Sequence, residues 1–221
     1  MRPHRTLLAA LGLLSAACAA PGVHARRSEP LPPPARERRA GAGDPGAGPA
    51  SGSSAHAVQA RRAPREVAVR RAVETAEVLI GKRDIVMGGV HYGDDCAALV
   101  RAAFSQAGTP LPAGADARAL HRLAASRGAL RRRTPSPGDL VFIADRPGGV
   151  PEHVGLVESV GADGTALVLH RTGRGVLRLR ANVTQPWKVR SDAGKALNDV
   201  LVVGAGRITA GRLVVAFATM L

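Results

Sequence analysis

From residue 66 onward, apolar positions repeat first with a helical period and then with a strand period. Val69, Val73, Ala76 and Ile80 share one helical face, which predicts a helix over 66–80 stopped by Gly81. Gly88, Gly89 and Gly93 mark a loop. Asp94 and Asp95 are N-cap candidates for a second helix over 96–107, with Leu99, Ala103 and Phe104 on its inner face and Gly108 beyond its end. A third helix is predicted over 115–127, stopped by Gly128. After that the period shortens. Runs at 139–143, 153–160, 165–170, 176–180, 199–203 and 213–217 are rich in β-branched and apolar residues and are separated by Gly, Pro and Asp-Gly turns. Helices followed by an antiparallel sheet make an α+β fold the expectation for 66–221, as one domain without internal repeats.

The first 65 residues follow neither period. Arg2 and Arg5 precede an apolar run over 7–17 that is too short to cross a bilayer, so 1–25 reads as a secretory signal and the protein as exported. Two processing readings compete. Val23-His24-Ala25 suits cleavage before Arg26. Leu14-Ser15-Ala16-Ala17-Cys18 resembles a bacterial lipobox shifted by one residue, which would make Cys18 a lipidated N-terminus in the cell envelope. Residues 26–65 are rich in Pro, Gly, Ala and Arg and hold too little apolar surface to offset the entropy of ordering. They read as a disordered tether. Its arginines suit anionic envelope polymers or membrane headgroups; spacing and solubility are the plainer role.

Charge sharpens this division. The chain of 221 residues carries a formal +14, from 31 Lys and Arg against 17 Asp and Glu. Ten Arg and three acids fall in 1–65, so the first third holds half of the net charge. A balance this basic points to an anionic partner. With one Trp, one Tyr and three Phe there are few rings for base stacking, so nucleic acid is not the expected partner. Two cysteines exclude a disulfide-stapled mini-protein.

Cys96 is the one cysteine outside the leader. At the predicted start of a helix, unpaired N–H groups and the helix dipole favour a thiolate and offer donors to an oxyanion. A small buried core cysteine is the competing reading. His153 opens one predicted strand and His170 ends the next. If Val160 pairs with Thr165, Gly155 pairs with His170, and side chains at 153 and 155 share a face. A two-residue Asp163-Gly164 turn gives the same parity. Both rings then lie on one face of one hairpin, as a base and its orienter require; a bulge would break this parity. Two unrelated strand-end histidines are the alternative. His121, among arginines, reads as solvated, and His91 as a loop residue. No His-x-x-x-His or Cys-x-x-Cys spacing indicates a metal site, and no cofactor is expected.

The stretches Asp95-Cys96-Ala97-Ala98-Leu99-Val100, Pro137-Gly138-Asp139-Leu140-Val141-Phe142 and His153-Val154-Gly155-Leu156-Val157, then His170 and Gln185-Pro186-Trp187, resemble the NlpC-type cell-wall cysteine peptidases. The run 153–164 also looks like the related CHAP amidase/peptidase family. The resemblance implies a papain-like α+β fold with Cys96 as nucleophile, His153 as base and acid, and His170 as the orienting third residue. It places Asp95, Ala97 and Tyr92 near the substrate. Two departures stand out. Ala97-Ala98 replaces the usual Ser-Gly, and no Tyr precedes the paired glycines, Tyr92 coming after them. A CHAP-type third residue is commonly Glu or Asn; His170 fits the NlpC pattern.

The resulting expectation is a monomeric, exported hydrolase that cleaves a peptidoglycan stem peptide, with the bond from D-glutamate to the following diamino acid implied by the resemblance. An amidase or acyltransferase with the same site, an inactive wall-binding descendant carrying Ala97-Ala98, and a purely electrostatic binder are the other readings.

Overall fold

The computed structural model describes residues 53–221, with side chains from Pro64 onward. The leader, Cys18 and the tether up to residue 52 lie outside the described residues. Helix α1 spans Ser53–Val78, β1 Val86–Met87, β2 Val90–His91, α2 Ala98–Gln106 and α3 Ala117–Ser126. Next come β3 Leu130–Arg131, β4 Leu140–Ala144, β5 Pro151–Val160, β6 Ala166–Thr172 and β7 Gly175–Ala181. The chain ends with β8 Val200–Val203, β9 Gly206–Thr209, a 3-10 turn Ala210–Arg212 and β10 Val214–Ala218. The three helices and the antiparallel sheet are the expected α+β class.

The boundaries differ in instructive ways. Helix α1 runs back through Pro64 to Ser53, into the stretch expected to be tether. Residues 55–63 are mostly Ala, Gln, Arg and Val, which a helix accepts readily once it is nucleated from the packed end. Helix α2 starts at Ala98 rather than Cys96, with Ala97 at the cap position and no side-chain cap. Neither Asp94 nor Asp95 is its N-cap. Asp116 caps α3, accepting a 2.7 Å hydrogen bond from the Ala119 N–H.

Six strands form one antiparallel sheet in the order β3-β10-β4-β5-β6-β7. The last strand of the chain therefore sits between β3 and β4. The run expected at 199–203 does not join this sheet: it pairs with β9 as a separate hairpin. That hairpin covers the second face of the sheet, where Leu201, Val203 and Ile208 pack on Val141, Val157, Val168 and Phe217. The helices cover the first face, packing Ala72, Ala76, Leu99 and Phe104 against Phe142, Val154, Leu156 and Leu169. With both faces covered, all five residues of β4 are buried.

Candidate functional site

Strands β5 and β6 bring the two histidines together. Their pairing matches Val160 with Ala166 near the turn and Gly155 with His170 at the far end. Those registers are one residue apart, and the offset is taken up by a bulge at Glu158, between Val157 and Ser159. Without it, the turn register would carry Leu156 opposite His170 and put the rings on opposite faces. The bulge restores the parity instead of breaking it. Its extra residue is held from β7: both oxygens of Glu158 accept from Arg178, at 2.7–3.1 Å.

Gly155 makes this close approach feasible. A Cβ there would meet Val168 Cγ1 at 2.7 Å, the Leu169 carbonyl oxygen at 2.8 Å and His170 Cβ at 3.2 Å. His153 Nε2 lies 2.9 Å from His170 Nδ1, with ring planes crossed at 85°. One nitrogen donates and the other accepts. Burial holds the pKa of His153 below the usual imidazole value. Burial, followed by repulsion from His153, lowers that of His170 to about 4. His170 is therefore neutral near pH 7, and its Nδ1 is free to accept from His153.

Cys96 lies in the turn just before α2, half-buried. Its Sγ is 3.8 Å from the Glu152 carbonyl oxygen, and the backbone of Val154 also hydrogen-bonds to it. The sulfur thus rests against the main chain on either side of His153. Among the described residues, no hydrogen bond joins Sγ to either ring. Burial raises the thiol pKa, and the Asp95 charge raises it further; the Val154 hydrogen bond opposes both. The thiolate expected at a helix start gives way to a neutral thiol, because desolvation outweighs the backbone donors.

The turn is fastened by two arginines that sequence reasoning passed over. Arg101, on α2 and 7% exposed, donates to the Tyr92 carbonyl at 2.5 Å, to both oxygens of Asp95 at 3.0 Å and to the Ala115 carbonyl at 2.7 Å. Arg171, next to His170, donates from Nε to the Arg83 carbonyl at 3.0 Å and from its guanidinium to the Asp94 carbonyl. In sequence both look like ordinary solvated charges. The signal available was an Arg on the otherwise apolar helix 98–104 beside an acidic pair.

The three residues expected at the substrate make contacts within the domain: Ala97 is buried, Tyr92 partly buried and Asp95 exposed. The carboxylate of Asp95 is taken by Arg101 and by the Ala97 N–H at 2.8 Å. Ala97 is fully buried, so its methyl faces core and not substrate. Tyr92 hydrogen-bonds Ser105 at 2.9 Å through its hydroxyl. It also lines a 230 Å³ cavity with His91, Arg101 and Leu111. His121 is partly buried: it packs edge-on against Phe142 at 5.0 Å, and burial lowers its pKa. The Pro137-Gly138-Asp139 motif is structural. Buried Asp139 accepts from Arg131, Thr219 and the Ser136 N–H, tying β3 and the end of β10 to β4.

Residues 86–172 match the family model of the CHAP domain, and this span contains Cys96, His153 and His170. No curated protein matches the chain. CHAP domains are in general peptidoglycan amidases or peptidases, and the helices packed on an antiparallel sheet are consistent with their papain-like fold. Of the two related families that the motifs resemble, the match falls on CHAP, over residues 86–172 of this chain.

Proposed function

We propose that the protein is an exported cysteine hydrolase that cuts an amide bond in peptidoglycan, with Cys96 as nucleophile, His153 as base and His170 as the residue that orients it. The observation that carries this reading is the 2.9 Å contact between His153 Nε2 and His170 Nδ1 beside the strand segment that holds the Cys96 sulfur. With His153 donating from Nε2, its Nδ1 keeps a lone pair for the thiol proton. His170, neutral down to about pH 4, accepts from the imidazolium that forms.

Sγ attacks the carbonyl carbon as its proton moves to His153. Backbone N–H groups near Cys96 would stabilise the oxyanion. His153 then protonates the leaving amine, a thioester remains, and water activated by the same ring releases the acid. The neutral thiol of the resting state supports proton transfer in step with attack, not a standing ion pair.

The D-glutamyl–diamino acid bond is the proposed target by resemblance to the NlpC-type peptidases. The CHAP match favours an amidase as the second reading. Digestion of purified muropeptides by wild type and Cys96→Ala, read by mass spectrometry, tests both. A cut stem peptide supports the first bond, and release of the intact stem supports the amidase. Equal product from both proteins sinks the mechanism. Export through residues 1–25 is part of the proposal. The intact mass of the mature protein separates cleavage after Ala25 from a lipidated Cys18. The same reading keeps the basic stretch of residues 26–65 as a contact for anionic polymers or headgroups, and the protein as a monomer.

A further inference from the structure

A basic cleft lies apart from Cys96, His153 and His170, beside the sheet face that the β8–β9 hairpin covers. This cleft of about 570 Å³ is lined by Arg132 and Arg133 after β3, by Gly149 in the β4–β5 loop, by Val183 and Pro186, and by Arg212 of the 3-10 turn. All three arginines are exposed, and none has a carboxylate partner among the described residues. Arg101, Arg118, Arg131, Arg171, Arg178 and Arg180 each face an acid, whereas these three converge on one cleft without one. Three like charges from two separate chain segments repel unless an anion sits among them.

The wall carrying Arg212 is rigidly built. Asn198, 1% exposed, accepts from the Asn182 N–H at 2.7 Å and the Gly211 N–H at 2.9 Å, and donates to the carbonyls of Gln185 and Lys188. A Cβ at Gly211 would come within 2.3 Å of the Asn182 carbonyl oxygen, so the 3-10 turn is pressed onto that loop. Asn182 in turn bonds Thr165, Thr184 and Gln185. A fully satisfied buried amide network of this kind fixes a loop that has no regular secondary structure. Here it sets Arg212 and the 183–186 rim in one geometry before any ligand arrives.

We propose that this cleft binds an oxyanion-bearing polymer, its phosphate or carboxylate groups held by the guanidinium forks of Arg132, Arg133 and Arg212. Guanidinium matches both oxyanions bidentately, and the apolar floor of Val183 and Pro186 suits the uncharged backbone between charges. The proposal is independent of Cys96 and of any turnover.

The test is fluorescence anisotropy on the full chain with three labelled probes: polyphosphate, polygalacturonate and duplex DNA. The variant Arg132→Gln/Arg133→Gln/Arg212→Gln is compared with Arg122→Gln/Arg127→Gln/Arg174→Gln, which removes the same charge from other exposed positions. The cleft triple is expected to weaken polymer binding by about tenfold or more, and the control by less than about threefold. Polyphosphate and polygalacturonate tell which oxyanion is preferred, and loss on either supports the site. Equal losses from the two triples would reduce the effect to net charge and overturn it. So would a DNA affinity that exceeds both polymers and is lost only in the cleft triple. Circular dichroism melts of both triples guard against misfolding. As a second variant, Arg212→Lys keeps the charge and loses the fork, and is expected to bind more weakly than wild type.

Discussion

His153 Nε2 and His170 Nδ1 meet at 2.9 Å across β5 and β6, and they do so because a bulge at Glu158 corrects the register that the turn would otherwise impose. The pair divides the labour. In the proposed mechanism His153 carries the proton, and His170 fixes its tautomer. Substituting His153→Gln is expected to lower kcat on muropeptides by about 10²–10⁴-fold. His170→Leu is expected to lower kcat by less, and His170→Gln less again, since an amide oxygen can still accept from Nε2. KM should stay close to wild type in both His170 variants, because the ring touches His153 and not substrate. A KM rise with unchanged kcat would contradict the orienting role.

Burial of these rings has a signature in stability. The folded-state pKa of His170 is about 4, below the ordinary imidazole value of 6.5. Between those values the unfolded chain binds the proton and the folded one does not. The contribution is fully present above about pH 6.5 and is lost as pH falls toward 4, by on the order of 3 kcal/mol. Asp139 works in the opposite direction, since burial raises its pKa. The comparison is therefore between proteins: the drop in Tm from pH 7 to pH 4.5 should be smaller in His170→Gln than in wild type. Identical drops would show that His170 is not the group being titrated.

Activity follows a related sign. His153 accepts a proton only when neutral, and burial holds its pKa below the ordinary value. The acid limb of kcat/KM is expected below pH 6.5. The Cys96 thiol is raised above its usual 9.0, so no loss of activity from thiol ionisation is expected across neutral pH. An acid limb centred above pH 7 would contradict this arrangement of groups.

The two periods along the chain were enough to place the helices, five of the six main strands and the shared face of the two histidines. That last inference survived two departures that offset one another. Val160 pairs with Ala166 rather than Thr165, and the bulge at Glu158 takes the extra residue back. Nothing local marks such a bulge, because its stabilising partner, Arg178, lies on another strand. The insertion of β10 between β3 and β4 was equally hidden, since it depends on pairing across more than seventy residues. At the site, residue type singled out Cys96, His153 and His170, of which the two rings meet, but it misjudged their surroundings. Asp95 looked like a helix cap and is instead the counter-ion of Arg101. Ala97 looked like an altered substrate contact and is buried core.

Gly155 tests how tightly the hairpin is built. The methyl group added by Gly155→Ala would press on Val168, on the Leu169 carbonyl and on the His170 side chain. Two of these neighbours are held by the ladder, so β5 and β6 must move apart. The expected cost is about 1–3 kcal/mol, with a clear fall in Tm. Because His170 Cβ is one of the displaced atoms, kcat should fall even at temperatures where the variant is folded. A variant with reduced Tm and full kcat would show that the imidazole contact tolerates the shift.

Arg101 offers the sharpest test of how Cys96 is held. Its guanidinium reaches three chain segments at once: the Tyr92 carbonyl, the Asp95 carboxylate and the Ala115 carbonyl. Lysine has one point charge and no fork, so it cannot bridge all three. Each hydrogen bond to a charged group contributes about 1.5–3 kcal/mol, so Arg101→Leu should destabilise by at least one such bond. Arg101→Lys should recover part of the Tm and little of the activity, because the turn before Cys96 loses its second anchor. Asp95→Asn keeps an acceptor for the Ala97 N–H and should be the mildest of the three. Labelling of Cys96 by a thiol reagent gives a readout independent of substrate. The rate should rise in Arg101→Lys as the turn loosens and the buried sulfur becomes accessible. An unchanged labelling rate together with full activity would show that the arginine supports the fold alone.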